Sequence, residues 1–267
     1  MPGTAGPPSP PGQHLRAGVD STLAGFLDEK RTMLAAMHPS LLPVIDQLAA
    51  LYEGGSLRPA FAYWAWRGFT GDLVRPGTPD RGSDEVVLRA VSALEFLRIG
   101  ARAHQRAWDG DAQGTGAWIL IGDLALVWSD ELLHGSGLSA PALDCALSAW
   151  EGMRTETTAA QYLGLLRAAG GGGSGGCGCT IRRLLLFGAA LAGADSAAAA
   201  VCTGIGAPLD DAVALRQALR GRDSAAEDRV ASDIERARQA IAAAPISGDA
   251  RAALDALAVA ATSPSGR

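Results

Sequence analysis

The chain has 267 residues, a length at which one helical domain with a single large core is expected. Hydrophobic residues make up 48% of the chain and aromatic residues only 5%, so the core must be built mainly from alanine, leucine and valine. The net charge of -5 leaves too few basic residues to neutralise phosphates in number, which excludes a general nucleic-acid-binding protein.

The lysine and cysteine content further limits the kinds of protein to which the chain could belong. Lys30 is the only lysine, and every other basic residue is arginine. The four cysteines lack the spacing of a disulfide framework or of a zinc site; they are Cys145, Cys177, Cys179 and Cys202. No apolar run reaches the roughly 18 to 20 residues of a membrane span, and no signal peptide is evident. We predict a cytoplasmic protein with reduced cysteines and no membrane span.

The first part of the chain predicts a tail followed by three helices. Residues 1–18 are rich in proline and glycine, which predicts a disordered tail. Apolar residues then recur at helical spacing over residues 20–37, 40–52 and 57–69. A polar, proline-bearing loop over residues 71–83 separates these helices from the middle of the chain.

Two helical runs, residues 94–109 and 118–133, form the predicted centre of the domain. We expect the facing sides of these helices to build one central cavity. Polar side chains one turn apart gather in the last turn of the first run, namely His104, Gln105, Arg106 and Asp109. These side chains are candidates for a common pocket.

The rest of the chain predicts a long helix, a loop and four more helices. The long helix covers residues 140–167. Residues 170–179 are mostly glycine, which costs roughly 1 kcal/mol per residue against alanine in a helix and so predicts a loop. The last helices are predicted over residues 180–193, 207–221, 224–244 and 247–261. Asp210 and Asp211 would then lie in a first helical turn, where carboxylates are favourable.

These elements predict an all-α fold, a single-domain bundle of about ten helices around a central cavity. The domain would cover residues 19–262, with the glycine-rich loop 170–179 inside it and a short tail over residues 263–267.

Five segments match a known protein family both in their amino-acid sequences and in their order along the chain. They are GGSLRPAFAYWAWRGF (54–69), ALEFLRIGARAH (93–104), ILIGDLALVWSDELL (119–133), MRTETTAAQYL (153–163) and LLLFGAALAGAD (184–195). Over residues 23–261 the chain resembles the trans-isoprenyl diphosphate synthases, the polyprenyl synthetase family. The resemblance implies an isoprenoid-synthase-like helical fold. It also implies magnesium-dependent joining of isopentenyl diphosphate to an allylic diphosphate, as in the geranylgeranyl and farnesyl diphosphate synthases.

The family's two aspartate-rich motifs are degenerate in this chain. The resemblance places the first motif on Gln105, Arg106 and Asp109, where one carboxylate remains. It places the second on Gln217 and Ala218, where no carboxylate remains. Magnesium needs several carboxylate oxygens, so we predict no metal site and no cofactor, although magnesium is expected for the family.

The resemblance also suggests substrate-binding residues. Arg58 matches a diphosphate contact, and His104, Gln161 and Tyr162 keep family positions near the cavity. For Gln161, a polar group of the cavity and a hydrogen-bonded core amide remain equal alternatives. Asp130 matches a helix position that we interpret as structural.

Two functions follow from this pattern. The first is a catalytically impaired member of the family that acts as a non-catalytic subunit or isoprenoid-binding partner. The alternative is an active prenyltransferase that joins an allylic diphosphate to isopentenyl diphosphate, or another acceptor, by an altered metal site. In either case we expect a homodimer or a heteromer with a complete synthase, and an isoprenoid diphosphate as the ligand.

Overall fold

The structure is a computed structural model, and it describes residues 11–70, 83–110, 114–169, 179–218 and 224–263. Regular structure within these ranges is entirely helical, which confirms the all-α prediction. The ten helices are α1 (Pro11–Met37), α2 (Leu42–Leu51), α3 (Arg58–Thr70), α4 (Asp84–Trp108), α5 (Thr115–His134), α6 (Ala140–Ala169), α7 (Ile181–Leu191), α8 (Ser196–Ala218), α9 (Ser224–Ala243) and α10 (Gly248–Thr262). A short 3-10 turn, Pro39–Leu41, joins α1 to α2.

Helix α1 begins earlier than the sequence predicted. It starts at Pro11, a residue type that fits a first helical turn because its missing N–H would have no helical partner there. Leu15 and Val19 are each 4% exposed, so this part of the helix is held by burial against the core. The predicted tail over residues 1–18 is therefore wrong for residues 11–18. Residues 1–10 and most of the predicted 170–179 loop lie outside the described residues.

Helix α4 runs through the middle of the core. Ser83 caps its first turn by accepting a hydrogen bond from the Val86 backbone nitrogen, and Asp84 follows where a carboxylate meets the positive end of the helix. Phe96 packs edge-on against Phe26 of α1, with ring centroids 5.3 Å apart. Burial along nearly the whole length of α4 makes it the helix around which the others are arranged.

Helices α4 and α5 pack directly on each other, so no cavity separates their facing sides. A Cβ atom added at Gly100 would lie 3.1 Å from the Gly122 carbonyl oxygen, and one at Gly122 would lie 2.2 Å from the His104 ring. Glycines at both positions allow the two backbones to approach closely. The prediction that α4 and α5 enclose the central cavity is therefore wrong.

Helix α8 continues through Pro208, although the sequence analysis had begun a new helix at residue 207. Proline removes one helical hydrogen bond, but Pro208 is buried and Gly206 sits against the α7 backbone, so packing holds the helix together. Among the described residues, α8 is the helix with the length and hydropathy to cross a membrane. It packs between α7 and α9 as a core helix does.

Candidate functional site

A cleft of about 650 Å³ opens where α3 and α7 begin, beside the second half of α8 and the end of α10. We call it the α7–α8 cleft. Both polar and apolar residues line it. Its lining includes Ser56, Leu57, Arg58, Phe61, Cys179, Thr180, Ile181, Leu184, Asp210, Val213, Ala214 and Gln217.

Arg58 reaches the cleft from the first turn of α3. The turn before it contains two glycines with left-handed backbone angles, Gly54 (φ 65°) and Gly55 (φ 68°), which other residues rarely adopt. Ser56 then accepts a hydrogen bond from the Arg58 backbone nitrogen at 3.3 Å. The residue that the motif predicted as a diphosphate contact thus lines the cleft.

Two side chains cap the first turn of α7. Thr180 accepts a hydrogen bond from the Arg183 backbone nitrogen at 3.3 Å. Asp210 on α8 accepts two more, from the Ile181 nitrogen at 2.6 Å and the Arg182 nitrogen at 3.2 Å. A helix amino terminus ordinarily attracts anions, and here a carboxylate of the chain itself occupies that position.

Burial raises the pKa of Asp210 to about 6, and the hydrogen bonds from Ile181 and Arg182 oppose that shift. The sequence analysis had placed Asp210 in the first turn of its own helix. Instead it lies inside α8 and caps α7, so that interpretation is wrong. No local signal could have revealed the contact, because the partners are 29 and 28 residues apart in the chain.

The two residues that the resemblance assigns to the second aspartate-rich motif differ in their position relative to the cleft. Gln217 lines the cleft, while Ala218 is not among the lining residues that the structure describes. Val213 and Ala214, one turn earlier on the same helix, also face the cleft. The face of α8 that borders the cleft therefore offers one carboxylate, that of Asp210, and it is already bound to the backbone of α7.

The first degenerate motif lies at the end of α4, away from the lining of the cleft. Gln105 donates a hydrogen bond to Asp109 at 3.0 Å, and Asp109 is the residue that ends the helix. The guanidinium of Arg106 lies over the Trp118 ring, 5.3 Å from its centroid. These side chains are thus engaged with each other and with α5.

His104 also turns towards α5. Its Nε2 atom lies 3.1 Å from Asp123 Oδ1, and its ring stacks on Trp108 with centroids 6.5 Å apart. Since Gly122 leaves no room between the two helices at this point, His104 serves the α4–α5 contact. The sequence analysis had proposed a substrate-binding role for His104, and the structure places it outside the cleft lining.

The other two substrate-binding candidates lie on α6. Gln161 donates a hydrogen bond to the Ala101 carbonyl oxygen at 3.0 Å and so ties α6 to α4. Tyr162 is 61% exposed. Of the four candidates, Arg58 therefore lines the cleft, whereas His104, Gln161 and Tyr162 are not among its lining residues.

Comparison with known proteins identifies the fold. No family model matches the sequence. A putative geranylgeranyl pyrophosphate synthase from Corynebacterium glutamicum has a similar structure, with a TM-score of 0.81 and 22% identity. The match covers 94% of this chain and 97% of that one. The chain has the isoprenyl diphosphate synthase fold.

Two further structures have the same fold. A C. glutamicum geranylgeranyl pyrophosphate synthase in complex with isoprenyl diphosphate and magnesium has a TM-score of 0.79 and 20% identity, over 95% of this chain and 99% of that one. A mint heterotetrameric geranyl pyrophosphate synthase has a TM-score of 0.61 and 14% identity, over 88% of this chain and 97% of that one. The resemblance found in the sequence motifs is thus confirmed at the level of the fold.

The described residues at the end of α4 and along the cleft face of α8 do not fit magnesium. The ion prefers a near-octahedral set of oxygen ligands supplied by carboxylates and water. Residues 101–108 of α4 contain no acidic residue, and the Oδ1 atom of Asp109, the residue that follows the helix, already accepts a hydrogen bond from Gln105. Over the described ranges, no group of three or more His, Cys, Asp and Glu side chains stands close enough to share an ion.

The single lysine does not provide a positive charge in the cleft either. Lys30 on α1 is 3% exposed and forms an ion pair with Glu131 of α5. Its ammonium group also lies 4.7 Å from the centroid of the Phe26 ring. Lys30 therefore joins α1 to α5, and among the described residues Arg58 is the basic side chain in the lining of the cleft.

Proposed function

We propose that the chain is a non-catalytic member of the trans-isoprenyl diphosphate synthase family. In this role it acts as a subunit of a complete synthase or as an isoprenoid-binding partner in the cytoplasm. The observation that carries the proposal is the α8 wall of the α7–α8 cleft. Val213, Ala214 and Gln217 cannot hold a metal ion as carboxylates would, and Asp210 is committed to the start of α7.

Loss of these charges matters because ionisation of an allylic diphosphate needs positive charge at the leaving group. Removing one preorganised electrostatic contact typically lowers a rate by about 10² to 10³. At the end of α4, Gln105 and Arg106 replace carboxylates, and the surviving Asp109 is hydrogen-bonded to Gln105. With both metal clusters lost, the family's reaction would have no metal ions to neutralise the departing diphosphate.

Binding of an isoprenoid diphosphate is compatible with the same cleft. Phe61, Ile181 and Leu184 offer an apolar wall for a hydrocarbon chain, and Arg58 offers a guanidinium for a phosphate group. Ligand binding without turnover is what a non-catalytic partner requires.

Assembly with a second chain is supported by the surface of α5. Leu120 and Val127 are 70% and 59% exposed and lie two helical turns apart, on one face. Exposed apolar residues grouped on one helix face are typical of a protein–protein contact. The mint synthase of the same fold is a heterotetramer, which gives a precedent for pairing unlike chains.

The decisive experiment is an elongation assay with the purified chain, isopentenyl diphosphate, each short allylic diphosphate and magnesium. We expect no longer product above a buffer blank. A parallel titration with geranylgeranyl diphosphate should show binding that weakens at least about tenfold in Arg58→Ala. Arg229→Ala, at an exposed position on α9, is the matched control. A clear elongation product would overturn the non-catalytic proposal.

The alternative, an active prenyltransferase with an altered site, is favoured by one observation. The cleft retains both volume and Arg58. If a product is formed, its loss in Arg58→Ala or Asp109→Ala would identify the residue that carries the new mechanism.

A further inference from the structure

A second cavity lies behind the turn that carries Arg58. It has a volume of about 210 Å³, is partly open to solvent, and is bordered by the start of α1, the α2–α3 turn, α4 and the end of α10. Gly55, Ser56 and Leu57 separate it from the α7–α8 cleft, since they border both spaces. The lining is mostly apolar and includes Leu15, Val19, Leu57, Pro59, Ala60 and Leu257.

Glu95 of α4 lies in the wall of this cavity. Its side chain is 1% exposed, and its Oε2 atom accepts a hydrogen bond from Arg98 Nε at 3.0 Å. The other oxygen, Oε1, is buried and has no hydrogen-bond partner among the residues that the structure describes. A buried carboxylate oxygen without a donor is unfavourable, so the site is complete only when something donates to it.

The charges around the cavity are already balanced. Ion pairs join three carboxylates to three guanidinium groups, namely Asp20, Glu53 and Glu95 to Arg16, Arg98 and Arg102. A positively charged ligand would upset this balance, whereas a neutral hydroxyl group would donate to Glu95 without doing so. The chemistry of the wall therefore favours an uncharged donor.

The size of the cavity limits the rest of the ligand. An apolar cavity of about 150 Å³ is large enough to bind benzene in another protein. A space of about 210 Å³ fits a somewhat larger body of the same kind. Tyr52 adds an aromatic wall, and its hydroxyl group is already used in a hydrogen bond to Asp20.

We propose that this cavity binds a small neutral alcohol or phenol, with its apolar body among the leucine, valine and proline side chains and its hydroxyl group donating to Glu95. The site is separate from the diphosphate cleft and does not depend on the function proposed for that cleft.

Two isomers of equal size test the proposal on the intact chain. 4-Ethylphenol has the hydroxyl donor, and 4-methylanisole has the same atoms with the donor removed. In calorimetric titrations we expect 4-ethylphenol to bind about tenfold more tightly, the effect of a hydrogen bond to a charged group. Equal binding of the two isomers, or no binding of either, would overturn the proposal. Tighter binding of 2-phenylethylamine, a cation of similar size, would also overturn it.

Variants locate the site. Ala60→Leu fills the cavity and should abolish binding of 4-ethylphenol, whereas Ala243→Leu, at an exposed position on α9, should leave it unchanged. Glu95→Gln should reduce the preference for the phenol over the ether to less than about threefold. Circular dichroism confirms that each variant is folded, and the comparison of the isomers needs no variant. Undiminished binding to folded Ala60→Leu would place the ligand elsewhere and refute the assignment.

Discussion

Asp210 on α8 holds the first turn of α7 by its backbone, with Oδ1 2.6 Å from the nitrogen of Ile181. The contact joins two helices that both border the cleft, and it uses a carboxylate on the same face of α8 as Gln217, where the sequence resemblance places the second motif. The Asp210 side chain thus holds together two helices that border the cleft. Because its carboxylate is used in this contact, it is not free to bind a ligand in the cleft.

The pH dependence of stability should report the burial of Asp210 at this contact. Because the pKa of Asp210 is raised to about 6 from an ordinary value of 3.8, the folded chain binds this proton more tightly than the unfolded chain does. The stability that results is complete below pH 4 and is lost as the pH rises through 6. Relative to Asp210→Asn, the unfolding free energy of the natural chain should fall by about 2 kcal/mol between pH 4 and pH 7.

Urea unfolding at several pH values across that window measures this difference. Asp211→Asn, at the exposed neighbouring residue, is the control and should show little change relative to the natural chain. A difference between the natural chain and Asp210→Asn that stays constant with pH would contradict the raised pKa and the burial of the Asp210 carboxyl group.

The close approach of α7 and α8 makes a second prediction. A Cβ atom at Gly206 would lie 2.3 Å from the Arg182 Cα atom, and a backbone atom cannot rotate away. Gly206→Ala should therefore lower the unfolding free energy by about 3 kcal/mol. Gly204→Ala, in the same helix with nothing within 4 Å of the added atom, should instead be neutral or stabilise by up to about 1 kcal/mol. Thermal or urea unfolding distinguishes the two, and equal effects would refute the packing.

Restoring one metal cluster should not restore catalysis. In the double variant Gln105→Asp, Arg106→Asp, the end of α4 regains carboxylates beside Asp109. The cleft-facing positions of α8 still lack them, so magnesium would have ligands on one side only. We expect elongation to stay at the level of the buffer blank, with a complete synthase as positive control. Turnover by this variant would show that the α8 face is not needed.

Charge on the exposed face of α5 should prevent assembly. In Leu120→Glu, Val127→Glu, two carboxylates would enter the proposed interface and be desolvated there. Sedimentation should show a dimer for the natural chain, or a complex with a co-expressed synthase, and a monomer for the variant. Val259→Glu on α10, another exposed apolar position, should keep the natural state. A natural chain that is monomeric at micromolar concentrations and binds no synthase would end the proposal.

The sequence predicted helices well where the apolar pattern alone decides them. The Phe96 region of α4 and the Trp128 region of α5 repeat apolar residues at helical spacing, and both segments are helices in which Phe96 and Trp128 are buried. Asp130 was interpreted as structural, and it accepts hydrogen bonds from Trp150 Nε1 at 2.8 Å and Arg154 at 2.6 Å. Local periodicity is sufficient for such cases, because apolar residues at every third or fourth position lie on one face of a helix, and that face must be buried.

Features that depend on contacts between distant segments could not be predicted. Pro208 is a local signal for a helix boundary, and only the packing of α8 against α7 overrides it. Leu15 looks like part of a proline-rich tail until the rest of the core is present to bury it. For the cleft, the family resemblance pointed to Arg58, which lines it, but no pattern in the chain links Asp210 to Ile181.

The burial of Lys30 has a practical consequence for labelling this protein. Its side chain is 4% exposed and ion-paired, and it is the only ε-amino group in the sequence. Amine-directed reagents should therefore react with the folded chain almost entirely at its α-amino group. A fluorophore or surface tether attached in this way would sit at one defined position, and the label on Lys30 would appear only as the protein unfolds.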